Sequence, residues 1–134
     1  MSAAVELIHT VDREARDAIT YERDALVHGI RENWQTAEET AKRDLGDCED
    51  FAIYAAMRLM DRGVPAEALY LTLVNTLAGP HFNHCVLLVE TGSGLVTCAD
   101  TMSSEPQAID DAYDEDMMRQ WARLDKPREW RKWG

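Results

Sequence analysis

The sequence is poor in cysteine, with three residues, Cys48, Cys85 and Cys98, and no Cys-x-x-Cys pair. Three thiols cannot all pair, so the chain is not a disulfide scaffold, and the usage is that of a reducing compartment. Cys85 and Cys98 fall in neighbouring β-prone runs, where two buried thiols are expected in preference to a bridge. No close Cys or His chelate pair sits on a turn, which argues against zinc held by Cys48, His84, Cys85 and Cys98. Long apolar runs are also missing, so no membrane span is expected. The opening Met1-Ser2-Ala3-Ala4-Val5-Glu6 lacks the charged and apolar regions of a secretory signal. Basic residues are scarce: 14 Lys and Arg stand against 25 Asp and Glu, a net charge of −11. Without a basic stripe, apart from the short tail Lys126 to Lys132, nucleic-acid binding is not expected. Such acid crowding suits divalent cations and basic partners instead.

Repeats, low-complexity tracts and long linkers are absent as well, so residues 1–134 read as one domain. At 134 residues, 46% of them hydrophobic, the chain can bury a core without covalent staples. From about Ala3 to Ala41 the pattern is helical, with Ile8, Val11, Ala15, Ala18, Ile19, Ala25, Leu26 and Ile30 recurring at threes and fours. A break near Gly29 to Gln35 precedes Thr36-Ala37-Glu38-Glu39, the start of a short second helix. A third helix is expected to begin at Asp47, as N-cap, with Asp50 reaching back to it. Cys48, Ala52, Ala55 and Leu59 then share one stripe, and Gly63 with Pro65 ends the helix. After Pro65 the texture turns to short β-prone runs, Leu69–Val74, Cys85–Val89 and Leu95–Cys98. Thr91-Gly92-Ser93-Gly94 joins the last two as a hairpin. Ile109 to Leu124 returns to a helical pattern, with Tyr113, Met117, Trp121 and Leu124 at core spacing. Trp130 and Trp133 are expected to pack the tail on the body, and Met57, Met60, Met117 and Met118 to fill the core. The fold class is α+β: N-terminal helices, with the Cys48 helix packed on a small antiparallel sheet.

Cys48 is the residue that points to chemistry. At a helix N-terminus the free N–H groups and the positive dipole end favour the thiolate, the form that attacks carbonyl carbon. A cysteine nucleophile needs a base that also returns a proton, and His84, at the mouth of the second strand, suits both tasks. That base needs an acceptor on its other nitrogen, and Asp100 stands at the end of the third strand. With Gly92 and Ser93 as the turn, the hairpin brings residues 84 and 100 together at the end remote from the loop. His81 is the alternative base, less favoured because a Gly79-Pro80 turn fixes direction less well than a strand. The Cys48 N–H is a natural oxyanion donor, with Trp34 or Gln35 as candidates for the second.

These residues carry a resemblance. Gly46-Asp47-Cys48-Glu49-Asp50-Phe51-Ala52, Gly63-Val64-Pro65-Ala66 with Leu69, the run His84–Val89, and Leu95-Val96 ahead of Asp100 resemble the bacterial transglutaminase-like cysteine proteinases. The similarity runs from about Tyr21 to Trp130 and includes Asn33-Trp34, Thr36 and Glu38; Thr101 stands where the family usually has asparagine. The resemblance implies a papain-like, transglutaminase-type fold and hydrolysis of a peptide bond in a protein or peptide substrate through a thioester. It implies Cys48 as nucleophile, His84 as base and acid, and Asp100 as orienting carboxylate. Acyl transfer to an amine, glutamine deamidation and an inactive peptide-binding module are the alternatives. The resemblance further implies calcium, since several members bind it through acidic residues matching Asp47, Glu49 and Asp50. That has its own warrant, because carboxylates beside a thiol raise its pKa and a cation would cancel the penalty. Caps and first-turn charges explain the same three residues without a metal. With no secretory signal in the opening residues the expected location is cytoplasmic, as for a phage or cytoplasmic relative; relatives of this kind are commonly exported, so it is periplasmic if a leader has been trimmed. Oligomeric state is not legible.

Overall fold

The computed structural model describes residues 3–30, 37–75, 84–114 and 118–132, with side chains over 4–18, 48–75, 84–114 and 120–132. Helix α1 (Ala3–Ile30) and helix α2 (Ala37–Asp61) are followed by a 3-10 turn (Ala66–Ala68) and strand β1 (Leu69–Val74). Strands β2 (His84–Thr91) and β3 (Gly94–Cys98), a single-turn helix α3 (Ile109–Ala112), and strands β4 (Met118–Arg123) and β5 (Arg131–Lys132) complete the order. The α+β class holds. The sheet has five strands in the order β3-β2-β1-β4-β5, and every neighbouring pair is antiparallel.

The stripe on α2 is the wall between the layers. Cys48, Phe51, Ala52, Ala55, Ala56 and Leu59 are buried, at the threes and fours that keep one face of a helix toward a partner. They pack with Ile8, Val11 and Ala15 of α1 and with Leu69, Leu71, Cys85, Leu87, Val89 and Cys98 of the sheet. Because successive side chains of a strand point to opposite faces, Val74, Val86 and Leu88 lie on the other side. There they form a second cluster with Tyr113, flanked by Ile109 and Ala112. β2 is thus buried on both faces from His84 to Val89, which explains an apolar run with no alternation.

Helix α2 stops as its sequence requires. Gly63 takes φ +97°, donating to the Met60 carbonyl while Val64 donates to that of Leu59. This is the Schellman arrangement, and it satisfies carbonyls that the helix end would leave bare. The hairpin also follows the sequence. Thr91 pairs with Gly94 and Leu87 with Cys98, and Thr91 Oγ1 accepts from the Ser93 N–H and donates to the Gly94 carbonyl. That register sets Cys98 opposite Leu87, and Cys85 and Cys98 are both free and buried. The outer edge of β3 is covered by Gln107, whose carbonyl accepts from the Thr97 N–H, and by the Val96–Ala108 bridge.

Four expectations are corrected. The helix carrying Cys48 does not start at Asp47: α2 is continuous from Ala37, so Gly46 and Asp47 lie in its interior. A glycine inside a helix costs only about 1 kcal/mol, which the burial of the α2 stripe outweighs. The segment Ile109 to Leu124 is not one helix, because only Ile109–Ala112 coils while Met118–Arg123 forms β4. The free edge of β1 captures it, pairing Thr72 with Trp121 and Leu71 with the buried Ala122. Met57 and Met60 face outward, Met57 being 57% exposed, since they fall between the turns of the buried stripe. Trp130 is also exposed, so it does not pin the tail. Met117 and Trp133, and the side chain of Met118, lie outside the described residues.

The alanines of α2 set how closely the sheet approaches. Ala55→Leu is expected to lower unfolding free energy by about 1–3 kcal/mol through overpacking, read as a lower urea midpoint with an unchanged slope.

Candidate active site

Three elements converge at the end of the hairpin remote from its turn. α2 presents Cys48, whose side of the helix is buried but which keeps 7% of its surface exposed. β2 begins with His84, and Asp100 follows β3 after Ala99. The register that pairs Leu87 with Cys98 carries the two chains past each other, so that residues 84 and 100 become neighbours. His84 Nδ1 lies 3.2 Å from Cys48 Sγ, and Nε2 lies 2.7 Å from Asp100 Oδ1. The structure therefore brings together Cys48, His84 and Asp100, as their spacing suggests.

The carboxylate is held by three donors. Oδ1 accepts from His84 Nε2–H and from the Met102 N–H at 2.9 Å. Oδ2 accepts from the Tyr113 hydroxyl at 2.5 Å. Burial alone would raise the Asp100 pKa, but the hydrogen bonds from His84, Tyr113 and Met102 hold it below the usual value. An ionised Asp100 only accepts, so Nε2 carries the ring proton and Nδ1 faces the sulfur.

The electrostatics favour a thiolate and an imidazolium. Burial opposes charge on His84, yet the hydrogen bonds and charges of Asp100 and Cys48 outweigh it and raise the pKa to about 9. Burial likewise pushes the Cys48 thiol up, while bonds to His84 and to Thr101, with the His84 charge, bring it below its ordinary value. Thr101 Oγ1 lies 3.4 Å from Sγ. The helix dipole is not the cause expected from the sequence. Cys48 sits about three turns inside α2, and a terminal dipole fades within the first turn. For the same reason its N–H belongs to the helix ladder and is not the free oxyanion donor expected. Trp34 and Gln35, the candidates for the other donor, and His81, the alternative base, lie outside the described residues.

Of the acidic residues flanking Cys48, Glu49 is half-buried and Asp50 exposed, and the side chain of Asp47 lies outside the described residues. Among the described residues no group of three or more His, Cys, Asp or Glu could hold a metal ion. A cavity of about 510 Å³, lined by Met102, Ser103, Ser104, Gln107 and Tyr113, opens against Asp100.

Tyr113 belongs to the site although its spacing reads as plain core. The available signal was chemical: a buried tyrosine hydroxyl needs a partner. Asp12 and Arg16 of α1, which contact the Ala99–Asp100 backbone, were missed as well. Their signal was an acid inside an apolar stripe with a base four residues on.

A thiol paired with a buried imidazole and an orienting carboxylate defines the cysteine-nucleophile class of hydrolases and acyltransferases. Within that class the chain belongs to the bacterial transglutaminase-like cysteine proteinase family, whose model matches residues 1–132. A proteinase family implies a protein substrate. No curated protein and no solved structure matches the chain.

The three thiols should separate by reactivity. Burial, reinforced at Cys85 by the charge of Glu49 and at Cys98 by that of Asp12, pushes both thiols far up, so they stay protonated. Iodoacetamide near neutral pH is expected to label Cys48 alone in the folded protein, as read by peptide mapping. Equal labelling of all three would contradict a thiolate at Cys48.

Proposed function

We propose that the protein is a cysteine peptidase that hydrolyses a peptide bond through a thioester formed on Cys48. The single observation that carries this reading is the convergence of Sγ, imidazole and carboxylate at 3.2 and 2.7 Å.

In this reading the Cys48 thiolate attacks the scissile carbonyl carbon, forming a C–S bond and placing the electron pair on oxygen. As the C–N bond breaks, His84 Nδ1–H gives its proton to the departing amine nitrogen. The product is a thioester and a neutral imidazole. Nδ1 then takes a proton from water, whose oxygen attacks the same carbon. The C–S bond breaks, releasing the acid and restoring the thiolate beside the imidazolium. Asp100 accepts from Nε2 throughout, which fixes the tautomer and supports the charged ring. An amine in place of water would give transamidation, and glutamine as acyl donor with water would give deamidation, so the products decide among them.

The test is mass spectrometry of peptides released from a proteome digest by the purified chain, by Cys48→Ser and by His84→Ala, with and without a calcium chelator. New termini that disappear in Cys48→Ser, and a rate at least about a hundredfold lower in His84→Ala, are expected. Identical products from the parent chain and Cys48→Ser would remove the peptidase reading. A rate that falls with chelator and returns with added calcium would support the proposal of a calcium site on Asp47, Glu49 and Asp50; an unchanged rate would dismiss it.

The rate should be bell-shaped in pH. Below the depressed Cys48 value the sulfur is protonated and cannot attack. Above about 9 His84 loses the proton that the leaving amine requires.

A further inference from the structure

The backbone just ahead of Asp100 is in an unusual state. Ala99, buried beneath α1, has φ +55°, in the left-handed region that side chains with a Cβ rarely adopt. It is the sole non-glycine residue of this kind among the described residues. Two groups from one turn of α1 grip the chain there. Asp12 Oδ1 accepts from the Ala99 N–H at 2.6 Å, and Arg16 donates through a terminal nitrogen to the Asp100 carbonyl at 3.0 Å. They are joined to each other, Arg16 Nε donating to Asp12 Oδ2 at 2.7 Å. Asp12 is only 3% exposed.

A buried carboxylate is costly unless it is paired and hydrogen-bonded, and here it is both. The two grips fall on the amide entering Ala99 and the carbonyl leaving Asp100. Between them lie the four backbone dihedrals that decide where the Asp100 side chain points. We infer that Asp12 and Arg16 form a clamp on Ala99–Asp100, acting as positioning residues that aim the Asp100 carboxylate at His84. The inference rests on the proposed roles of Cys48, His84 and Asp100 and adds to them a part for α1, which carries none of the three.

The clamp acts at a distance from the sulfur, through Asp100 and then His84. The groups facing the His84 ring are Cys48 from α2, Asp100 from the segment after β3, and Tyr113 beyond α3. If the carboxylate swings off Nε2, the imidazolium loses its counter-charge, and the thiolate loses its stabilising neighbour in turn. Cys48 should then become reactive only at higher pH. A role confined to stability would lower the folded fraction but leave that midpoint where it is.

The experiment follows Cys48 alkylation by iodoacetamide against pH in the full chain, with thermal unfolding recorded alongside. Arg16→Met keeps the packed stem and removes the donor. It is expected to move the Cys48 midpoint up by about one unit, making alkylation about tenfold slower below it. Asp12→Asn keeps an acceptor for Ala99 while giving up the ion pair, and a smaller shift of the same sign is expected; it is the deciding variant should Arg16→Met fail to fold. Arg16→Lys, which can still donate to the Asp100 carbonyl, should recover part of the effect. A folded variant with the parent midpoint would overturn the clamp while leaving the reading of the site intact. A parent chain whose Cys48 reacts no faster than Cys85 would bring down that reading, and the clamp with it.

Discussion

The structure turns on a buried, charged imidazole. An isolated ion at this depth would cost several kcal/mol, and a histidine there would simply shed its proton. His84 keeps its proton because a carboxylate lies on one nitrogen and a sulfur on the other. The debt passes outward: Asp100, itself buried, is held ionised by His84 first and then by the Tyr113 hydroxyl and the Met102 amide. Each group is stable only in the company of the next. This explains why a site of few atoms draws on the two long helices, on β2 and β3 and on the segments beyond β3 and α3.

Such a chain of dependence requires a stiff frame. β2, buried on both faces between β3 and β1, is the supporting plank, and it delivers His84 at its first residue. The small residues of α2 bring the helix carrying Cys48 close to that plank. The second apolar cluster, on the opposite face, anchors Tyr113. Sulfur and phenol therefore approach the imidazole–carboxylate pair from different layers, and packing on both sides of the sheet bears on one proton.

Where the sequence is locally decisive, it foretells this arrangement. Thr91-Gly92-Ser93-Gly94 leaves little freedom in the hairpin, so counting back along two strands brings His84 and Asp100 to the same end, within one residue of facing each other. The stripe from Cys48 to Leu59 is equally plain, because a 3.6 period over three turns has no other reading. The start of α2 at Ala37 was legible, but its unbroken run through Gly46 and Asp47 was not, since Asp47 is a good cap and Gly46 a good breaker, and only tertiary burial overrules them. Nor was β4, a six-residue run whose fate depends on whether a neighbouring strand edge is open. Asp12 and Arg16 stand out in the apolar stripe of α1, but that their grip falls on Ala99 was not legible, because it joins residues 12 and 99 through a backbone angle that no pattern encodes.

The two rims of the sheet carry a last implication. On one side Gln107 and Ala108 lie along the outer edge of β3, the Gln107 carbonyl taking the Thr97 N–H. On the other, β5 is two residues long, and both are cations. Among the described residues neither margin offers an extended polypeptide a long open ladder. Fibrillar stacking through these borders is thereby discouraged.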